Sequence, residues 1–359
     1  MKVSIVPCED YERVASSIGS LLHELGNDFF KPNQKILIKP NLLTAKSKGE
    51  AVTTHPEIIR AVILIAKKAG SEVYVADSPA FQSLKHVAEI SGILDVCRET
   101  GAELISFNET FTHKVNGKVM RSFDLAKALN HFDLVVNIPK LKTHSLTQYT
   151  GAVKNLFGLI PGKDKSKMHV RFSSAELFSE MLLDLYCAFK PGLHIMDAVV
   201  GMEGNGPSGG EPRNIGYLLG SRDALALDNV ATRMVSLNPP LIKLARQRGL
   251  RYAFDENIEV DKIPTIENFK KPKGSWADKI PKFVKNGGKN IFLAKPVIDR
   301  DKCIKCADCV TICPVGALSM RNDKPMFDYS KCIRCYCCQE VCPAKAIYLK
   351  NNFLSKKFS

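Results

Sequence analysis

The sequence predicts an α/β protein: a large, mostly parallel sheet domain with helices on both faces, followed by a small α+β domain at the C-terminal end. Three observations lead there. Short apolar runs alternate with helix-period stretches over residues 1–262, the pattern of a sheet built from strand–helix–strand units. Several of those runs end in polar clusters, as strands do when their carboxyl ends face a ligand cleft. Nine of the twelve cysteines fall between Cys303 and Cys342, in a tandem spacing that no single disulfide framework needs.

Taken in order, Val3 to Val6 is the first strand. A helix follows, with Val14, Ile18, Leu21, Leu22 and Leu25 on one face. Ile36 to Ile38 is the next strand, and TTHPEIIRAVILIAKKAG the next helix. Thr54 and Glu57 form a capping box there, Pro56 suits the first turn and Gly70 the end. Val73 to Ala76, Leu104 to Phe107, Leu134 to Asn137 and Leu193 to Met196 repeat the strand pattern. Ala224 to Leu237 and Leu241 to Arg248 close the domain as helices. Residues 263–295, rich in Lys, Pro and Gly, read as a basic linker or strap anchored by the only tryptophan, Trp276. The small domain spans 296–350, and a polar tail, 351–359, ends the chain.

The longest apolar run, Ala61 to Ala66, is far short of the roughly 20 residues of a membrane span. The opening MKVSIVPCED lacks the apolar core of a secretory leader, so the expected location is the cytoplasm. A formal charge of +14 serves solubility or draws acidic partners. No familiar nucleic-acid motif is present, so no nucleic-acid partner is expected. Clustered cysteines in a reducing compartment point to metal rather than disulfides. Cys8, Cys97 and Cys187 stand apart in apolar segments and read as buried packing residues.

Two copies of one motif carry the clearest chemistry. The first is Cys303-x2-Cys306-x2-Cys309-x3-Cys313-Pro314, and the second Cys332-x2-Cys335-x2-Cys338-x3-Cys342-Pro343. A [4Fe–4S] cube needs four thiolates, and in two-cluster arrangements the fourth cysteine of each motif serves the other cube. Cys303, Cys306, Cys309 and Cys342 are thus expected on one cluster, and Cys332, Cys335, Cys338 and Cys313 on the other. VGALSM after the first motif matches AKAIYL after the second. Two four-thiolate zinc sites are the alternative, and the tandem spacing with a proline after each copy argues against them. The module resembles two-cluster bacterial ferredoxins over about 55 residues, which implies one-electron transfer. Cys337, beside Cys338, reads as a spare thiol. Lys302, Lys305, Lys331 and Arg334 lie near the ligands and read as solvent-facing, the alternatives being to raise the cluster potential or to meet an acidic partner.

In the large domain the candidate cleft gathers strand-end residues. His144, Lys140, Lys142 and Asp77 are the candidate catalytic groups. Lys39, Asn41, His55, Ser78, Lys154, Asn155 and Glu203 are the candidate substrate-binding groups. So many cations at one place suit a small anionic substrate, a carboxylate or phosphate. The alternative for each lysine is a solvated surface side chain, for His55 a first-turn helix role, and for Asp197 and Asp228 buried hydrogen bonding. The glycines Gly204, Gly206 and Gly209 mimic a nucleotide fingerprint, but Pro207 and Pro212 interrupt it, and the segment reads as a flexible loop over the cleft.

KPNLL, TTHPEIIRA, ADSP, NIPKLKTH, GAVKNLFG, GMEGNGPSGGEPR and DALALD together resemble the domain-of-unknown-function family 362, many members of which carry the same ferredoxin appendage. The resemblance covers most of residues 1–260 and implies an α/β domain and an iron–sulfur protein, with no reaction attached. A distant fold-level similarity to lactate racemase-like proteins implies hydroxy-acid chemistry or a metal cofactor by analogy alone.

The sequence therefore leads to a redox enzyme that exchanges electrons with an acidic ferredoxin- or flavodoxin-type protein and acts on a small anion. Two other readings stand beside it: an electron carrier or adaptor with no substrate of its own, and a non-redox protein whose clusters are structural or sense oxygen.

Overall fold

A computed structural model describes residues 1–79, 81–162, 164–272 and 293–350. Most of the expected strap, Trp276 included, and the whole tail lie outside the described residues.

The large domain begins with β1 (Val3–Pro7), α1 (Val14–Glu24), β2 (Lys35–Pro40), α2 (Pro56–Lys68) and β3 (Glu72–Val75). Next come α3 (Leu84–Ser91), α4 (Ile93–Thr100), β4 (Glu103–Leu104) and a separate hairpin of β5 (Thr110–Lys114) and β6 (Ser122–Ala126). They are followed by β7 (Leu134–Ile138), β8 (Lys140–His144), β9 (Gln148–Thr150), α5 (Ala152–Asn155), α6 (Asp164–Arg171) and α7 (Ala175–Ala188). A long hairpin, β10 (Leu193–Glu203) and β11 (Glu211–Ser221), then leads into α8 (Ala224–Met234) and α9 (Pro240–Gln247).

The main sheet runs β1-β11-β10-β7-β2-β3-β4, with β8 and β9 extending from β10. Neighbours from β10 through β7, β2 and β3 to β4 are parallel. The β1–β11–β10 edge is antiparallel. Side chains alternate across a strand, and the two cores follow that alternation. Ile36, Ile38, Val136, Ile195 and Leu218 pack beneath α1 to α4, with Ile18, Leu21, Ile58 and Val62. Leu37, Val135, Met196 and Leu219 pack on the other face against Leu156, Phe178, Leu182, Leu225 and Leu241. Each such side chain contributes about 1.5–3 kcal/mol on burial.

Local chemistry departs from the sequence reading at two places. The cap of α2 is His55, whose ring accepts from the Glu57 amide with Pro56 at the first position. Thr54 instead donates to the Ile138 carbonyl at 2.7 Å and ties the helix start to β7. Asp197 sits inside β10 rather than beyond it, because that strand runs seven residues further than Met196 to Glu203.

The small domain holds β12 (Lys295–Ile298), α10 (Asp308–Thr311), β13 (Leu318–Arg321), β14 (Lys324–Phe327), α11 (Cys337–Val341) and β15 (Ile347–Lys350). Strands β12 and β15 pair antiparallel, as do β13 and β14. No helix among the described residues is long and apolar enough to cross a membrane.

Candidate functional site

The sequence repeat is also a repeat of backbone conformation. Lys305 and Ala307 in the first motif, and Arg334 and Tyr336 in the second, hold left-handed backbone angles. Gly316 and Lys345, three residues after the last cysteine of each motif, do the same. Left-handed residues in such loops turn successive amides into an anion-binding concavity. In both copies an amide donates to the fourth sulfur: Ala317 to Cys313 Sγ and Ala346 to Cys342 Sγ, each 3.2 Å.

Two cavities result. One, of about 350 Å³, is lined by Cys303, Cys306, Cys309 and Cys342. The other, of about 320 Å³, is lined by Cys313, Cys332, Cys335 and Cys338, and also by Cys337. Each cavity takes three thiols from one motif and one from the other. Among the described residues, no three His, Cys, Asp or Glu groups converge on a single-ion position. Thiols spread around a cavity fit a multi-iron cube better than one zinc ion.

The second motif docks on the large domain at the carboxyl ends of its strands. Lys46 Nζ donates to the Pro343 carbonyl at 2.5 Å, and Lys345 pairs with Glu50 at 3.1 Å. Ser145 Oγ donates to Gln339 Oε1 at 3.0 Å, and Ser208 Oγ to the Glu340 carbonyl at 2.7 Å. The glycine-rich segment 204–210 is thus the hairpin turn between β10 and β11, packed against α11, and not a flexible loop over a cleft.

Between the two domains lies a third cavity, of about 740 Å³. Asn41, Asp77, Ser78, Lys154, Asn155, Lys165 and His169 line it from the large domain, and Ile312, Cys337, Glu340 and Val341 from the small one. Leu42, Leu43 and Phe157 give it apolar walls. Cys337 lines this cavity and the second thiol cavity alike.

Strand β8 supplies the gradient of polarity that leads there. Period two puts Lys140, Lys142 and His144 on one face, and all three are buried. Lys140 is neutralised by Asp197, with Nζ to Oδ2 2.7 Å, and also donates to Tyr11 Oη at 2.9 Å. Lys142 has no carboxylate in contact. It donates to Asn41 Oδ1 and the Val52 carbonyl, each 2.7 Å. Burial, reinforced by the Lys154 charge, holds its pKa well below the usual lysine value. His144 accepts at Nδ1 from the Leu146 and Thr147 amides, 3.0 and 3.3 Å. A neutral ring therefore carries its proton on Nε2, which lies 3.2 Å from Glu340 Oε1. Burial pushes the ring's pKa down to about 4.

The structure separates the candidates accordingly. Asn41, Asp77, Ser78, Lys154 and Asn155 line the cavity. Lys39 stands behind Asp77 in a fully buried 2.8 Å ion pair. Gly158 is required there, because an added Cβ would collide with the Asp77 carboxylate and the Lys39 ammonium. Lys142 stands behind Asn41, and His144 behind Glu340.

Lys140, His55 and Glu203 are not brought to the cavity. His55 stacks on Tyr11 at 3.5 Å and its amide donates to Asp197, so its role is that of a helix cap. Glu203 accepts from the Lys270 amide at 3.1 Å. Asp228 accepts from the Ala152 and Val153 amides, 2.6 and 2.9 Å, and from Tyr149 Oη, holding the start of α5. Cys8 and Cys97 are buried as expected, whereas Cys187 is exposed. Arg334 is buried rather than solvent-facing, with its guanidinium 5.1 Å from the Tyr329 ring centre.

Sequence reasoning missed Lys165, His169 and Glu340. Lys165 and His169 stand four apart on α6, hence on one face, and that spacing was the available signal. Glu340 lies within the cysteine motif, between Cys338 and Cys342, where the thiol spacing is the dominant signal. Lys165 donates to the Ser78 carbonyl, and burial brings its pKa down to about 7. His169 packs on Phe178 at 4.6 Å, and burial lowers its pKa to about 4. Burial alone would raise the Glu340 pKa, but His144 and Lys154 outweigh it and hold the carboxyl well below its usual range.

Three buried polar atoms here have no hydrogen-bond partner: His144 Nε2, His169 Nδ1 and Glu340 Oε1. At 3.2 Å the first and last are close but poorly aligned. The half-buried Lys154 ammonium makes no hydrogen bond or ion pair among the described residues. The cavity thus combines an ammonium without a contact partner among the described residues, a low-pKa lysine and unused polar atoms.

Comparison with known proteins adds the following. Residues 36–233 match the family model described as domain of unknown function DUF362. Residues 289–346 match the 4Fe-4S dicluster domain, so the small domain is an iron–sulfur electron-transfer module. The thylakoid-associated protein sll1697 of Synechocystis is 37% identical over 245 residues, covering 67% of this chain and 76% of that protein. The lactate racemase apoprotein from Thermoanaerobacterium thermosaccharolyticum overlaps 60% of this chain at 10% identity with a TM-score of 0.38. This chain spans about half of that structure, 53%, and nothing is inferred from it.

Proposed function

Because the chain belongs to the DUF362 family and carries a 4Fe–4S dicluster domain, we propose that it is a redox enzyme acting on a small anionic substrate. The observation that carries this reading is the 740 Å³ cavity, whose walls come from both domains and include Cys337, the neighbour of a cluster ligand. A carrier without a substrate of its own has no use for a polar cavity against its cluster wall.

In this reading Cys303, Cys306, Cys309 and Cys342 would hold one [4Fe–4S] cluster, and Cys313, Cys332, Cys335 and Cys338 a second. Bound there, the clusters would supply one-electron transfer. The first set includes the exposed Cys306 and the second abuts the substrate cavity, so the two would link an external one-electron carrier protein to the substrate. The functional division is 1–262 for substrate and 296–350 for electrons. The free thiols suit a reducing compartment, the cytoplasm.

Lys154 holds the anionic group of the substrate, with Asn41 and Ser78 beside it. Lys165, with a pKa near neutrality, gives or takes the proton at Nζ that balances each electron. His144 and Lys142 are positioning residues behind Glu340 and Asn41. Lys140 and His55 belong to the scaffold.

The test is anaerobic. The reduced, cluster-loaded protein is mixed with a panel of small carboxylates and phosphates while cluster absorbance is followed. Reoxidation by a member of the panel, lost in Lys154→Ala and Lys165→Ala with the cluster spectrum intact, supports the reading. Full activity in both variants, or electron exchange only with carrier proteins, sinks it.

A further inference from the structure

The two cysteine loops are equivalent in sequence and backbone, but their environments are opposite. In the second loop Arg334 and Tyr336 are buried, and α11 is sealed against the large domain. At the matching positions of the first loop Lys305 is exposed, and its neighbour Ile304 is 64% exposed. The thiol cavity behind this loop is lined by Ile304, Lys305 and the exposed Cys306, and on its other side by Pro325. Pro325 brings the β13–β14 hairpin to the same face, where Met320 and Met326 are exposed. Ile304 is bared over a thiol cavity, whereas its symmetry mate Ile333 is partly buried, and folding alone does not explain the difference.

Charge indicates what covers it. Exposed side chains around this loop and hairpin are Arg300, Lys302, Lys305, Arg321 and Lys324 against Asp301, Asp323 and Asp328, with Asp328 paired to the exposed Lys331 at 3.6 Å and the partly exposed Asp308 inside the loop. Asp299 offsets Lys302 in part, at 3.4 Å. The cationic excess has the same sign as the whole chain, +14.

We propose that this face, centred on Ile304 and flanked by Lys302 and Lys305, is the docking surface for an acidic one-electron carrier protein, and that the cluster held by Cys303, Cys306, Cys309 and Cys342 is the entry port. The exchange is one electron: the carrier is oxidised by one, the cluster reduced by one, and no bond or proton moves. An apolar centre within a charged rim gives such an encounter short contact and fast release, while charge steers the approach. The proposal rests on the iron–sulfur reading but not on the substrate cavity.

The experiment uses the cluster-loaded full chain and an acidic two-cluster ferredoxin as probe, with no substrate present. Affinity for the oxidised probe is measured by calorimetric titration, and reduction by the reduced probe by stopped flow. Lys302→Glu with Lys305→Glu is expected to weaken binding and slow reduction on the order of tenfold at low salt. Wild-type binding should weaken as salt rises, since the Debye length falls to about 8 Å at 0.15 M. Ile304→Glu should act similarly. Lys85→Glu, exposed on α3, should do nothing, and reduction by dithionite should be unchanged throughout. If Ile304→Glu loses a cluster, the lysine pair alone decides. Wild-type affinity in the lysine pair overturns the proposal. So does a self-association, seen by sedimentation, that the same substitutions abolish, for then the occupant is a second copy of this chain.

Discussion

His144 Nε2 and Glu340 Oε1 stand 3.2 Å apart, although one residue ends a strand of the large domain and the other lies between Cys338 and Cys342 of the second cysteine motif. The contact joins the interdomain cavity to the small domain, and removing either partner should affect anion binding and turnover differently. Glu340 is also the acidic neighbour of Lys154, opposing the burial that lowers the lysine's pKa. Glu340→Gln should therefore tighten binding of small anions by about tenfold, as one screening charge is lost. Turnover should fall, because the carboxylate no longer orders the cavity. Iron content and a titration of anion binding, set beside the rate, check this. Weaker anion binding in the variant would contradict the geometry.

Lys154 makes no hydrogen bond or ion pair among the described residues, although Glu340 lies near enough to act on its charge. Lys154→Met should leave the urea midpoint unchanged or raise it, since a desolvated cation is removed from a half-buried site. The stabilisation conferred by binding anions should vanish. Thermal melts of both forms with and without phosphate, sulfate, acetate and oxalate give the readout. A large loss of stability without ligand would mean that the lysine is structural.

The Lys39–Asp77 and Lys140–Asp197 pairs behave in the opposite way. Both are almost wholly buried, at 2.8 and 2.7 Å. Asp77→Asn or Asp197→Asn strands a buried ammonium and should cost about 3–5 kcal/mol. Replacing Lys140 and Asp197 together by Met and Leu should recover most of that loss. Urea unfolding of the single and double variants measures it, and a double variant as unstable as the single one would refute the account.

The crossed ligand sets predict which cluster each cysteine controls. Cys342→Ser should disturb the cluster of the first motif, and Cys313→Ser that of the second, with iron falling from about eight toward about four per chain in each. Cys337→Ala should retain all of it. Iron analysis with electron paramagnetic resonance of the reduced protein separates the outcomes. Loss of the same-motif cluster in either serine variant would reverse the assignment.

Burial lowers the pKa of His55, His144 and His169 to about 4, and that of His194 to about 3. An unfolded histidine titrates near 6.5. Below that pH the unfolded chain binds protons that the folded chain refuses, so stability is full above about 6.5 and falls as pH drops toward 4. Each ring contributes a slope of up to about 1.4 kcal/mol per pH unit. The urea midpoint should drop steeply between pH 7 and pH 5, with cluster absorbance followed alongside. A flat profile would mean that these rings are already protonated in the fold.

The sequence by itself determined what is local. The grouping of the thiols follows from short cysteine spacing, because three thiols of one loop come to line one cavity without help from the rest of the chain. The alternation of strand and helix followed from side-chain period, and the residues at strand ends from the same reading. Only the tertiary structure decided which charges remain. Lys39, Lys140, Lys142 and Lys154 look alike in sequence. Their difference lies in what stands opposite: Asp77 for the first, Asp197 for the second, amide and carbonyl oxygens for the third, and no contact partner among the described residues for the last. Glu340 and His169 entered the site for the same reason. A buried charge is governed by its nearest neighbours in space, and those neighbours come from chain segments as far as 297 residues away.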